Sequence, residues 1–282
     1  MSIDAASTVL LIRATRLDDR VLAFAETLRV ASGHAVSFVL DERHGPTPHL
    51  GQSVVGITDE RCQALGLYCP PDYAWRCGDY GYYLARRALP AATHFWMIEY
   101  DVRFHGGSVA DFFGRFAEHP EVDLLATFLG PAGWDWYWAI TSRGRNVKPT
   151  RCLFPVTRLS SKAIDALLAR RVAHSRNPLR RHLWANDEAM VATTLCHGGF
   201  VCRDLNDFGD RWYDATTFTF TEPIDGDTFR PDETGLQIYH PVLYGEQYRR
   251  KLARLKEVEA PRSAMQGYAN RIVAKLNSLT PW

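Results

Sequence analysis

The chain has 282 residues, 46% hydrophobic and 23% charged, a balance that supports a sizeable buried core and excludes a disordered or low-complexity chain. Its 33 lysines and arginines stand against 32 acidic residues, so a net charge of +1 supplies no global field for nucleic acid or an anionic membrane, and an anionic ligand must be held locally. No window approaches the roughly 18 consecutive apolar residues of a membrane span and Met1 to Ile12 carries no basic leader, so a cytoplasmic chain, at most peripheral at the inner membrane face, is the expectation.

Thr8-Val-Leu-Leu-Ile12 reads as a buried strand. Asp18 to Ala31 sets Val21, Leu22, Ala25 and Leu28 on one helical stripe before the stop at Ser32-Gly33, and Ala35 to Leu40 is a second strand ending at Asp41. Strand, helix and strand within residues 8–41 make a βαβ unit, whose crossover favours a parallel sheet covered on both faces. Beyond the Pro46 and Pro48 loop come a strand over Ser53 to Ile57, a capped helix from Thr58 to Leu67 and a helix from Asp79 to Leu89, with Tyr80, Tyr83, Leu84 and Arg87 along one face. His94 to Ile98 is the most apolar strand, followed by a helix over Val109 to Ala117 and a strand over Val122 to Leu129. The fold class is therefore α/β, a mostly parallel central sheet flanked by helices.

After Gly130 the rhythm changes. Leu153 to Thr157 is strand-like, Ser160 to Arg170 and Asn186 to Cys196 are helical, Phe200 to Arg203 is a strand, and Asn206 to Thr234 is rich in turns. No repeat or linker divides the chain, so a single domain over 1–282 is expected. The six cysteines are irregularly spaced, with no C-x-x-C pair, and read as reduced thiols.

Phe95-Trp-Met-Ile-Glu-Tyr-Asp101 runs an apolar strand directly into Glu-x-Asp. Three other acidic-x-acidic pairs occur, Glu121/Asp123, Asp225/Asp227 and Glu257/Glu259, so the spacing alone does not discriminate. Position does: ligands of open α/β sheets bind beyond the carboxyl ends of the strands, and only Glu99 and Asp101 lie there. In an extended segment residues i and i+2 project to one side with α-carbons roughly 6.5 Å apart, so one divalent cation can bridge the two carboxylates to a diphosphate. Without a cation they would repel, and one would take up a proton. Pairing with Arg103 and a neighbouring arginine is the structural alternative.

In this pattern the chain resembles the glycosyltransferases of the A-type fold (GT-A), with an acidic motif after an apolar strand in mid-chain. The resemblance implies a Rossmann-like nucleotide-sugar half at about residues 8–130, an acceptor half at about 131–245 and a helical extension at 246–282. It implies Asp101 as primary ligand of Mn²⁺ or Mg²⁺, with Glu99 on the metal or on the donor. His240, in Gln237-Ile-Tyr-His-Pro241, is similar to the late histidine that completes such sites, although a buried structural histidine would read the same. Trp184-Ala-Asn-Asp-Glu-Ala-Met190 resembles the segment supplying a catalytic carboxylate in inverting members, Asp187 ahead of Glu188; both also suit an ordinary helix start after Asn186. Arg13, Asp41, Arg76 and Asp79 fall at positions that contact base, ribose and diphosphate in the family. Trp134, Trp136 and Trp138 would share one face if extended, with core packing and acceptor stacking both open to them.

The resulting expectation is sugar transfer from a nucleotide-sugar donor to the hydroxyl of a carbohydrate or lipid-linked acceptor, without nucleic acid. The basic segment Tyr248 to Lys256 is a point of peripheral lipid contact or a solvated helix face. The Ala264 to Leu279 helix would pack on the body or in a homodimer. A nucleotidyltransferase is a rival, weakened because Arg13 to Asp18 holds no glycine for a triphosphate loop; a non-catalytic carbohydrate-binding scaffold is another.

Overall fold

The computed structural model describes residues 7–133, 136–142, 147–220, 222–230 and 235–255. Strand β1 (Thr8–Ala14), helix α1 (Asp19–Ser32) and strand β2 (Ala35–Asp41) form the expected βαβ unit. The Asp18 side chain accepts from the Val21 N–H to open α1, and Gly33, at φ 69°, takes the left-handed turn that closes it. Then follow β3 (Val54–Ile57), α2 (Asp59–Ala64), α3 (Tyr73–Arg76), α4 (Asp79–Ala88), β4 (His94–Glu99), β5 (Arg103–His105), α5 (Val109–Ala117) and β6 (Leu124–Pro131). The later chain supplies β7 (Thr150–Ser160), α6 (Ser161–Ser175), α7 (Pro178–His182), α8 (Asp187–Cys196), β8 (Cys202–Asp204), β9 (Ile224–Asp225), β10 (Gln237–Tyr239) and β11 (Val242–Leu243).

Seven strands form one sheet in the order β3-β2-β1-β4-β7-β6-β8, parallel throughout except for β7, which is antiparallel to both neighbours. Among its described residues the β6–β7 connection carries only a 3₁₀ turn at Tyr137–Ser142, not a crossover helix, and β7 accordingly returns antiparallel. At eleven residues β7 exceeds the expected Leu153 to Thr157. Its inner residue Arg158 breaks the apolar pattern yet is buried, donating to the carbonyls of Phe116 and His119.

Alternate residues of the central strands feed two core layers. Leu11, Phe95 and Met97 face α4, α6 and α8, while Leu10, Ile12, Trp96 and Ile98 face α1 and α5. Burial on both faces explains the nearly unbroken apolar runs of β1 and β4. Trp96 meets Phe112, Phe113 and Phe116 at ring-centroid distances of 5.4, 5.6 and 5.6 Å. Two expected details change. Arg87 is exposed and not part of the α4 core face, and Trp136 and Trp138 lie at a 3₁₀ turn instead of along an extended segment. Residues 245–255 are helical; the expected helix over Ala264 to Leu279, the Glu257/Glu259 pair and Trp134 lie outside the described residues.

Candidate active site

The parallel register places Arg13 of β1 beside Glu99 of β4 at the carboxyl edge of the sheet. Arg13 donates from Nη1 to Glu99 Oε1 at 2.7 Å and from Nη2 to the carbonyls of Ala74 and Trp75. This arginine, expected on the nucleotide, is thus held between the motif and α3. Arg103, expected as the pairing alternative, turns to the Tyr100 and Val102 carbonyls and the Tyr244 hydroxyl.

Asp101 sits just past β4, where a small antiparallel pair of β5 and β10 sets Tyr239 against Arg103 and brings His240 alongside. The Val242 N–H donates to the Asp101 carbonyl at 2.7 Å and fastens this return. His240 Nε2 lies 3.7 Å from Asp101 Oδ1, an oxygen that is buried and has no hydrogen-bond partner. The other ring nitrogen, Nδ1, lies 2.6 Å from the Thr219 carbonyl. A carbonyl can only accept, so Nδ1 carries a proton, and Nε2 is the ring atom turned toward the carboxylate oxygen. That approach needs a proton or a cation between the two atoms. Glu99, Asp101 and His240 each offer a donor atom, all within 4.8 Å of one another. Carboxylate oxygen with imidazole nitrogen is a donor set that suits Mn²⁺, so the residues fit the group. Burial, reinforced by Glu99, raises the Asp101 carboxyl above its ordinary range, while His240 and Arg103 oppose that.

The amino end of α8 closes the other side. Asn186 caps it by accepting from the Ala189 N–H and donates to Glu188 Oε2 at 3.0 Å. Asp187 is buried and engaged: Oδ2 accepts from the Gly78 N–H at 2.8 Å, Oδ1 accepts from the Glu188 N–H at 2.8 Å, and Arg13 Nη1 lies 4.0 Å away. Glu188 is half-buried. Burial, then the neighbouring carboxylate, pushes Glu188 up to about 8; burial pushes Asp187 up to about 7 against the pull of Arg13.

The remaining expected residues separate. Asp79 is withdrawn into the core, where both its oxygens accept from Arg171 and one also accepts from the Tyr83 hydroxyl; the expectation that it contacts the nucleotide is corrected. An aspartate at the start of a helix looks like an edge residue in sequence, but Arg171 turns it inward. Asp41 stays at the sheet edge, bridged twice by Arg43. Arg76 pairs with Asp72 and lies over the Trp138 ring, its guanidinium carbon 5.4 Å from the centroid. Trp136 and Trp138 pack on Ala185, Ala189 and Met190, so they border α8.

Arg171 and Gly78 escaped the sequence reading. Arg171 holds Asp79 and the Ala185 carbonyl together, the latter at 2.9 Å. Its one visible signal was its place on the stripe of Ile164, Leu167 and His174, all buried.

No protein-family profile matches the chain, and no curated protein matches it. Among solved structures, it is similar to a glycosyltransferase involved in glycosylation of the major capsid of PBCV-1 (9% identity, 89% of this chain, 98% of that one, TM-score 0.43). Mouse xyloside xylosyltransferase 1 in its apo form gives 9% identity over 71% of this chain and 84% of that one, with a TM-score of 0.41. A putative glucose-1-phosphate thymidylyltransferase from Bacillus anthracis in complex with a sucrose gives 8%, 71%, 86% and 0.38.

Proposed function

We propose that the chain is a glycosyltransferase, moving a sugar from a nucleoside diphosphate donor to a hydroxyl acceptor. Glu99, Asp101 and His240 would hold Mn²⁺ or Mg²⁺. The observation that carries this reading is the unpartnered Asp101 oxygen facing His240 Nε2, with Glu99 alongside. A divalent cation held there would supply neutralisation of the charge on a diphosphate leaving group.

The chain's own residues do the rest. Arg13 fixes the Glu99 carboxylate in place, and Asp41, on the same edge, offers an acceptor to a ribose hydroxyl. Trp138, with Arg76 over its ring, presents an aromatic border to the acceptor sugar. Where the reaction inverts, the acceptor oxygen bonds to the anomeric carbon, the bond to the diphosphate oxygen breaks, and a carboxylate takes the acceptor proton. Glu188 suits that role better than Asp187, because both Asp187 oxygens already accept backbone N–H groups. A carboxyl held at about 8 is a stronger base than an ordinary one and titrates near neutrality.

The test is thermal unfolding with UDP-, GDP-, CMP- and dTDP-sugars, each with and without Mn²⁺, followed by donor turnover. Metal-dependent stabilisation and turnover that disappear in Asp101→Ala are expected. No nucleotide response in any combination leaves a non-catalytic scaffold.

A further inference from the structure

Three segments meet outside the carboxylates. Arg76, closing α3, lies over Trp138; Trp136 and Trp138 pack on Ala185 and Met190; and Trp184, preceding α8, meets Tyr68 edge-on at 5.3 Å. Large apolar side chains are exposed on the segments that flank this junction. Trp75 is 71% exposed, Tyr137 76% and Leu179 77%, with Leu183 also open. Water-facing side chains of this size, collected on neighbouring segments, mark a contact surface.

Near Trp75, Asp72 is paired with Arg76, while the charge flanking Leu179 in sequence has one sign. Arg176, Arg180, Arg181 and His182 surround Leu179, and no acidic residue occurs between Asp165 and Asp187. In a chain of net charge +1 this stretch is a local excess. Arg176 is exposed, and Arg181 lines an open cavity of about 440 Å³ with it. The helix at 245–255, the more obviously basic segment in sequence, differs: both Arg249 and Arg250 are spent on Glu246.

We propose that this rim docks on an anionic lipid surface, with Trp75, Tyr137, Leu179 and Leu183 entering the headgroup region and the exposed Arg176 and Arg181 meeting lipid phosphates. Tryptophan and tyrosine favour that boundary because one end of each ring is apolar and the other polar. Neither component suffices alone: short apolar insertion is weak, and arginines alone would be screened, whereas the two together give stable, reversible attachment. The inference does not depend on the sugar-transfer reading. If both hold, the acceptor side of the site faces the membrane and a lipid-linked acceptor is the substrate class it would serve.

The experiment is cosedimentation of the full chain with vesicles of phosphatidylcholine alone or mixed with phosphatidylglycerol. Association with the mixed vesicles only, weakening with salt, is expected. Each arginine near an anionic surface is worth roughly fivefold in partition, so the double variant Arg176→Gln/Arg181→Gln should lose roughly 30-fold. Trp75→Ser/Leu179→Ser should also release the protein, while Arg249→Gln/Arg250→Gln should not. Unchanged thermal unfolding of each variant establishes that it is folded. Absence of vesicle association, association that survives both rim variants, or a rim that proves on light scattering to join two copies would each overturn the proposal. None of these results bears on Mn²⁺ and nucleotide binding, which is measured separately.

Discussion

At Asp101 one oxygen is buried without a hydrogen-bond partner and lies 3.7 Å from His240 Nε2. Leaving such a group unsatisfied costs roughly 1–3 kcal/mol, which the metal-free fold bears. Asp101→Asn replaces that contact with an amide that can donate to His240 Nε2. We expect this variant to melt higher than the metal-free parent, by about 1 kcal/mol or about 2 °C at this size, while losing all stabilisation by Mn²⁺. Calorimetry with and without metal checks both. Loss of stability together with a retained Mn²⁺ response would remove the metal site. Glu99 and Asp101 were legible in sequence because an apolar strand leads into them, and His240 because it follows a short β-like run. The tautomer was not, since it depends on the Thr219 carbonyl, 21 residues away in the chain.

Among elements, the amino end of α8 is held by a buried device. Arg171 of α6 binds Asp79 of α4 and the Ala185 carbonyl, and the Gly78 N–H binds Asp187. Removing one partner of a buried ion pair strands the other charge, at a cost of about 3–5 kcal/mol. Asp79→Leu should therefore lower the melting temperature sharply, and Asp79→Leu/Arg171→Met should recover most of it, as denaturant titration would show. Gly78 tests position more gently. A Cβ there would lie 2.6 Å from Arg13 Nη1 and 2.7 Å from Asp187 Oδ2, both side-chain ends that can move. Gly78→Ala should leave the chain folded but displace both groups, weakening donor turnover more than stability; turnover equal to the parent would argue that Arg13 and Asp187 do not position the site. The helix starts at Thr58 and Asn186 were readable from their caps, because these signals are local. Arg171 and Arg158 were not, because a buried arginine is recognisable only through partners distant in sequence.

Across the whole molecule, the parallel half was legible from alternating periods, whereas the reversed direction of β7 was not, since apolar pattern carries no sign. Burial of ionisable groups on both halves sets how stability follows pH. Asp187 and Glu188 are raised from 3.8 and 4.5 to about 7 and about 8, so the folded chain keeps protons that the unfolded chain has released. Stability from these groups is complete at low pH and is lost as pH rises through their folded values. His94, buried at the start of β4 near Arg158, is lowered from 6.5 to about 4. The unfolded chain therefore takes up this proton first, and stability falls as pH drops from 6.5 toward about 4, by about 3 kcal/mol in all. Between 6.5 and about 8 the carboxyl pair outweighs the last half proton lost by the unfolded His94, so the metal-free chain should lose stability with rising pH there. Glu188→Gln should flatten that slope, and His94→Gln should gain stability relative to the parent mainly below 6.5. Urea titrations of the three proteins across the range measure both effects. A parent whose stability climbs from 6.5 to 8 would mean that Asp187 and Glu188 face water and that α8 does not close the site as described.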